Sequence, residues 1–222
     1  MDLGTTSGTR ASPPLRKADP RPSKRQLEIQ LGRLKILEKP DLRLEQYPVS
    51  AETASELLYM AGFEHNDLGG RVIDLGTGTG RLAIGAALMG AQDVLGVDLD
   101  EHALALAKEN AETAGVRVEW IQSETEKVNG RFDAVIMNPP YGTRTLHADA
   151  RFLQKALQLA PVVYSIHKSS TRDFLVQFVK DSGAEVRQVR SMKMMIPHIF
   201  DFHEKKRATI EVDLYEINRR SS

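Results

Sequence analysis

Between residues 71 and 166 the chain repeats one unit, a short β-branched or apolar run followed in most cases by a stretch with helical spacing. The runs cover residues 71–75, 93–97, 116–121, 132–137 and 162–166. Runs of this kind suit strands buried on both faces, and the helical stretches supply the crossovers that parallel strands require. The alternation predicts an α/β fold, a mostly parallel sheet covered by helices on both faces. Beyond residue 184 the rhythm changes. Residues 185–196 and 208–217 are both extended in pattern with no helix between them, so a hairpin is the economical connection and at least one of these strands runs antiparallel to the rest.

A chain of 222 residues is long enough for one sizeable α/β core and too short for two full catalytic domains. The expected division is a flexible tail over residues 1–22, rich in Gly, Ser, Thr and Pro, followed by a single domain over 23–222 with an N-terminal helical extension. That extension starts at the capping residue Ser23, carries Leu27, Leu31, Leu34 and Leu37, and stops at Pro40; a second amphipathic helix follows from Ser50 to Ala61. Lys24, Arg25, Arg33 and Lys35 make the first helix basic, a pattern that is more often a solvated face than a nucleic-acid site. The 30 basic and 30 acidic residues cancel, so no global field announces nucleic acid. With no cysteine, disulfides, thiolate zinc sites and cysteine nucleophiles are excluded; no metal site is expected. No run of about 18 apolar residues and no signal segment is found, so no membrane partner is expected and the location reads as cytoplasmic.

The first run ends in Asp74-Leu75-Gly76-Thr77-Gly78-Thr79-Gly80 and opens directly into a helical pattern at Arg81. Glycines here permit a tight turn and let a ligand approach backbone amides at the carboxyl edge of the sheet. Arg81 stands where a dinucleotide fingerprint has its third glycine, so the spacing with its preceding acid fits a nucleoside lacking a pyrophosphate. Asp98 ends the second run about 20 residues on, where a carboxylate accepts from ribose hydroxyls. A helix cap is the competing role, and it falls more naturally to Asp100. Glu124, after the third run, is placed to take an adenine amino group or is a plain surface glutamate.

The fourth run leads straight into Asn138-Pro139-Pro140-Tyr141-Gly142. Consecutive prolines lock the backbone and withhold two N–H groups, leaving the carbonyls of this segment outward and unclaimed by local structure. With the Asn138 side-chain oxygen they can hold both hydrogens of a planar amine, and Tyr141 offers a flat face for it to stack on. The alternative is a proline-stiffened turn with a core tyrosine.

Together these two segments resemble the class I methyltransferases that modify amino nitrogens of adenine, cytosine or glutamine. The match narrows with Leu44-Glu45-Gln46-Tyr47-Pro48, Val135-Ile136-Met137-Asn138-Pro139-Pro140, Tyr164-Ser165-Ile166-His167-Lys168-Ser169-Ser170-Thr171-Arg172 and Ile210-Glu211-Val212-Asp213-Leu214. These are similar to the methyltransferase-like family that makes N6-methyladenosine in small-subunit ribosomal RNA, in an archaeal form, over about residues 24–217. The resemblance implies a seven-stranded Rossmann-like sheet with one antiparallel strand. It implies S-adenosylmethionine as cofactor, with Gln46 at its methionine end, Asp74, Gly76, Gly78, Gly80, Glu124 and Asn138 around it, Asp98 on its ribose, and Asn138, Pro139, Pro140 and Tyr141 receiving a flipped adenine. Three positions depart from the family: Val49 replaces a common threonine, Glu124 an aspartate, and Tyr141 a phenylalanine. Lys168 and Arg172 at the fifth strand, and Lys205 and Lys206 in the loop His203-Glu204-Lys205-Lys206-Arg207, are expected to meet RNA phosphates, with a helix cap at Ser169 to Thr171 and a solvated turn in that loop as the alternatives. A small zinc-ribbon activator protein is the implied partner, pairing with the edge of the sheet near Trp120 and Val118, although a tryptophan packed under a helix is the competing expectation. A glutamine methyltransferase and a non-catalytic ribosome-assembly protein are the alternative functions.

Overall fold

The computed structural model describes residues 21–37, 48–140, 148–197 and 207–220. Of the expected tail, only Arg21 and Pro22 fall within them. Helix α1 (Lys24–Gly32) starts at Ser23 with a reciprocal capping box to Gln26, and α2 (Ala51–Tyr59) starts at Ser50, whose hydroxyl accepts from the Thr53 amide. A single π turn, Met60–Glu64, extends α2. Strand β1 (Arg71–Leu75), helix α3 (Arg81–Leu88), strand β2 (Asp93–Asp98), helix α4 (Glu101–Ala114), strand β3 (Glu119–Gln122), strand β4 (Ala134–Met137), helix α5 (Ala148–Leu159), strand β5 (Val162–Lys168) and helix α6 (Arg172–Asp181) complete the alternating part. A hairpin of β6 (Ala184–Pro197) and β7 (Arg207–Arg219) closes the chain.

The seven strands form one sheet in the order β3-β2-β1-β4-β5-β7-β6, parallel except for β7, which is antiparallel to both neighbours. This is the architecture the apolar runs predict. Alternate residues of each inner strand go to opposite faces. Val72, Ile136 and Tyr164 join Leu27, Leu31, Leu57, Leu58 and Ile84 on the face covered by α1, α2 and α3; Ile73, Val135 and Val163 join Leu153, Leu157, Leu175 and Val179 beneath α5 and α6. The third strand is shorter than its apolar run. Gly115 ends α4 in the left-handed conformation, and residues 116–118 are spent packing back against the core before the ladder to β2 begins at Leu95–Glu119.

The basic N-terminal helix is part of this core. Leu27 and Leu31 are fully buried, and a Cβ added at Gly85 of α3 would lie 2.2 Å from Leu58 and 3.5 Å from Leu31, so the absence of a side chain there lets the helices approach. Lys24 of this helix pairs with Glu56, and Lys35 just past its end pairs with Glu109 at 3.0 Å on the exposed surface, which favours the solvated, structural role for this face. Truncating Leu31 to alanine is expected to destabilise the whole domain by about 3 kcal/mol, read as a lower midpoint in thermal or urea unfolding. A detached helix would leave the midpoint unchanged.

Candidate active site

The ladders place the two halves of the expected site at one level. Leu75 of β1 pairs with Val97 of β2 and with Met137 of β4, so the next residues, Gly76, Asp98 and Asn138, stand side by side at the carboxyl edge of the sheet. The amides of Gly76 and Thr77 both donate to the Val97 carbonyl at 2.9 Å, which turns the loop sharply across the end of β2. Gly76, Gly78 and Gly80 all have positive φ, and nothing stands within 4 Å of where a Gly78 Cβ would be. The open side of the loop is therefore backbone and free space, the surface a nucleoside needs for close approach.

Asp74 and Asp98 frame that space. The Asp98 carboxylate accepts from the Gly78 amide at 2.7 Å and from the Asp100 amide at 3.0 Å, which fixes its orientation and leaves each oxygen a second lone pair. Asp100 takes the capping role, accepting from the His102 amide at 2.9 Å. Asp74 Oδ2 accepts from the Thr77 hydroxyl at 2.6 Å and the Ala83 amide at 3.0 Å, while its Oδ1 is buried without a hydrogen-bond partner. Burial, opposed by those two hydrogen bonds and reinforced by the neighbouring Asp98 charge, pushes Asp74 up to about 7; burial also raises Asp98. A dehydrated acceptor of this kind fits a cationic donor, and the set as a whole fits a nucleoside with a charged amino-acid end.

A proton linkage follows. Raised from its ordinary value of 3.8, Asp74 favours the protonated fold, so its contribution to stability is fully present below that value and is lost as pH climbs through about 7. A cationic ligand prefers the ionised form. Its affinity is expected to tighten about tenfold from pH 6 to pH 8, measured by calorimetric titration, and Asp74→Asn is expected to flatten that dependence.

On the chemical side, Asn138 and Pro140 are half-buried and Pro139 is buried at the end of β4. Tyr141 and Gln46 lie outside the described residues, as do Lys205 and Lys206. Glu124 is exposed and bonds Lys127 at 3.0 Å, just past Ser123, whose amide donates to the Asp98 carbonyl. Lys168 ends β5. Arg172 is largely committed within the protein: its Nε and Nη2 donate to the two oxygens of Asp213 at 2.7 Å, and Nη2 also to Ser191. Asp213 is fully buried and must be satisfied; burial alone would raise it, but donors from Arg172, Ser169 and Ser191 hold it down at about 2. His167 is buried against Ser165, and burial lowers it to about 3, so it is neutral at physiological pH.

Three positioning residues carry no sequence signal of their own. Asn110 of α4, almost fully buried, donates to the carbonyls of Thr79 and Lys35 and accepts from the Lys35 amide, all within 3.0 Å. Arg81 donates to the carbonyls of Val49 and Leu34. Between them they pin both ends of the segment that contains Gln46 to the glycine loop. Phe152 of α5 lies over Gly76, its ring 3.1 Å from where a Cβ would be. Trp120 does not face outward from the sheet edge: β3 is an edge strand, but the indole turns inward across Gly96 and Gly80, which have no side chains to exclude it, and Ile121 and Leu99 are the exposed apolar residues there. Among the described residues no cluster of His, Cys, Asp or Glu suits a metal, and no helix is long and apolar enough to cross a membrane.

A family model described as ribosomal protein L11 methyltransferase matches residues 54–139, the stretch from α2 through the glycine loop to Pro139. Whole-chain similarity lies elsewhere. An rRNA N6-adenosine-methyltransferase of Caenorhabditis elegans is 37% identical over 209 residues, covering 86% of this chain and 96% of the relative. The chain belongs to this family. A second member, from Danio rerio, is 35% identical over 197 residues, covering 85% of this chain and 95% of the relative. A crystal structure of a Pyrococcus horikoshii protein superimposes with a TM-score of 0.83 at 38% identity, covering 89% of this chain and 98% of the other. In this chain Asp74, Gly76, Asp98 and Asn138 stand at one edge of the sheet.

Proposed function

We propose that this chain transfers the methyl group of S-adenosylmethionine to the N6 amino nitrogen of an adenosine in small-subunit ribosomal RNA. The observation that carries the reading is the shared level of Gly76, Asp98 and Asn138, which sets a nucleoside cradle beside an amine-holding segment. When bound, the cofactor supplies an electrophilic methyl on a sulfonium. The protein's task is then positioning: Asp98 accepts from the ribose hydroxyls, Asp74 meets the cationic amino-acid end, and Gln46 borders that end. Asn138 Oδ1 and the Pro139 carbonyl each accept one N–H of the adenine amine, with Pro140 stiffening the segment and Tyr141 stacking on the flipped base.

Holding both hydrogens matters because the lone pair of that amine is delocalised into the ring. Fixed by two acceptors, the nitrogen is drawn toward tetrahedral geometry and presents its lone pair to the methyl. The nitrogen becomes acidic only once methylated and then loses its proton to water, so no general base is needed; neutral, buried His167 is in keeping with this. Lys168, Lys205 and Lys206 meet RNA phosphates, and Arg172 shapes that surface through Asp213. A small zinc-ribbon activator adds to the free edge of β3 beside Ile121 and Leu99, at 43% and 50% exposure. A cytoplasmic location belongs to the same reading.

The direct test supplies methyl-labelled cofactor together with small-subunit rRNA and a peptide-release factor. Label is expected in RNA. Label found in protein alone overturns the reading in favour of glutamine methylation, and no transfer to either overturns it in favour of an assembly role.

A further inference from the structure

Trp120, the single tryptophan of the chain, lies in β3, a four-residue strand that, among the described residues, has a strand partner on one side only. Its register partner on β2 is Gly96. A methyl group added to Gly96 would stand 2.4 Å from the indole Cζ3, and one added to Gly80 would stand 2.6 Å from Cη2. The indole thus crosses over Gly96 and ends under Gly80, the last glycine of the cofactor loop and the N-cap of α3. A methyl group at Gly80 would also stand 3.1 Å from Ala107 of α4, and one at Gly96 3.1 Å from the Thr77 hydroxyl, which donates to Asp74. Gly96 is also two residues before Asp98. One rigid ring therefore lies against the supports of both carboxylates that frame the cradle, and it is carried by a four-residue edge strand.

We infer that Trp120 is a positioning residue for the cofactor, the part through which the free edge of β3 sets the shape of the glycine loop. This rests on the cofactor reading proposed above. The physical basis is that Gly80 and Gly96 have no side chains of their own at this point, so the underside of the loop there is defined by what fills the space between β2, β3 and α4. A short edge strand shifts easily, and a shift of β3 moves the indole beneath Gly80. Whatever fixes β3 therefore tightens cofactor binding, and cofactor binding in return fixes β3. The emission of Trp120 reports the state of the loop.

Titrating the wild-type protein with S-adenosylhomocysteine while recording tryptophan emission requires no variant and is expected to give a saturable change. Trp120→Phe is expected to weaken the affinity about tenfold by calorimetry, with kcat at saturating cofactor within about twofold of wild type. Gly96→Ala is expected to weaken binding at least as much in the wild-type background, and far less when combined with Trp120→Ala, because the clash disappears with the ring. An emission spectrum unchanged at saturation, or Gly96→Ala costing the same in both backgrounds, or Trp120→Phe lowering the melting temperature without changing affinity, overturns the inference while leaving the cofactor reading intact. A wild-type protein that binds no S-adenosylhomocysteine overturns both.

Discussion

Asn138→Ala is expected to lower kcat on the order of 10²–10³-fold while cofactor affinity stays within about threefold of wild type. The substitution removes the acceptor proposed for the target amine, at a half-buried position next to the Pro139-Pro140 pair, and leaves the Asp98 carboxylate in place. One of the two amine hydrogens then lacks its acceptor, and the nitrogen relaxes toward the planar, delocalised form that does not attack. Stopped assays read by S-adenosylhomocysteine release, together with calorimetric titration of the cofactor, separate the two quantities. A loss of affinity equal to the loss of rate would mean that Asn138 serves mainly the cofactor.

The converse is expected of Asp98→Ala. A carboxylate accepting from two ribose hydroxyls makes two hydrogen bonds of the charged type, each worth about 1.5–3 kcal/mol, so its loss corresponds to a fall in cofactor affinity on the order of 100-fold or more. The same carboxylate also accepts from the Gly78 and Asp100 amides, and its removal frees the loop. The cofactor KM should rise steeply while kcat at saturation changes little. If kcat falls and KM does not, Asp98 is tied to the chemical step rather than to binding.

How far the sequence reached depended on whether a feature was local. Fully apolar runs such as 134–137 can be satisfied only by burial on both faces, so the parallel sheet was legible, as was the antiparallel hairpin from the lack of a helix between its strands. Asp74, the three loop glycines, Asp98 and Asn138 were legible because each sits at the end of a predicted strand and the carboxyl ends of parallel strands share one edge. Contacts made across the fold were not. Nothing about Arg172 in sequence distinguishes a phosphate ligand from a partner of Asp213, 41 residues away. Trp120 reads as an edge residue until Gly96 and Gly80 are seen to leave room for its ring, a pairing set by register rather than by proximity in the chain. Asn110 and Arg81 look like ordinary helix residues, and their role lies in the carbonyls they reach at Thr79, Lys35, Val49 and Leu34.

The amine proposed to be held at Asn138 is N6 of an adenosine in ribosomal RNA. Unmodified small-subunit rRNA incubated with the protein and S-adenosylmethionine, digested to nucleosides and analysed by mass spectrometry, is predicted to contain N6-methyladenosine with wild type and none with Asn138→Ala. A digest of the wild-type reaction in which every adenosine is unmodified, or in which the methyl group sits on another nucleoside, contradicts the account.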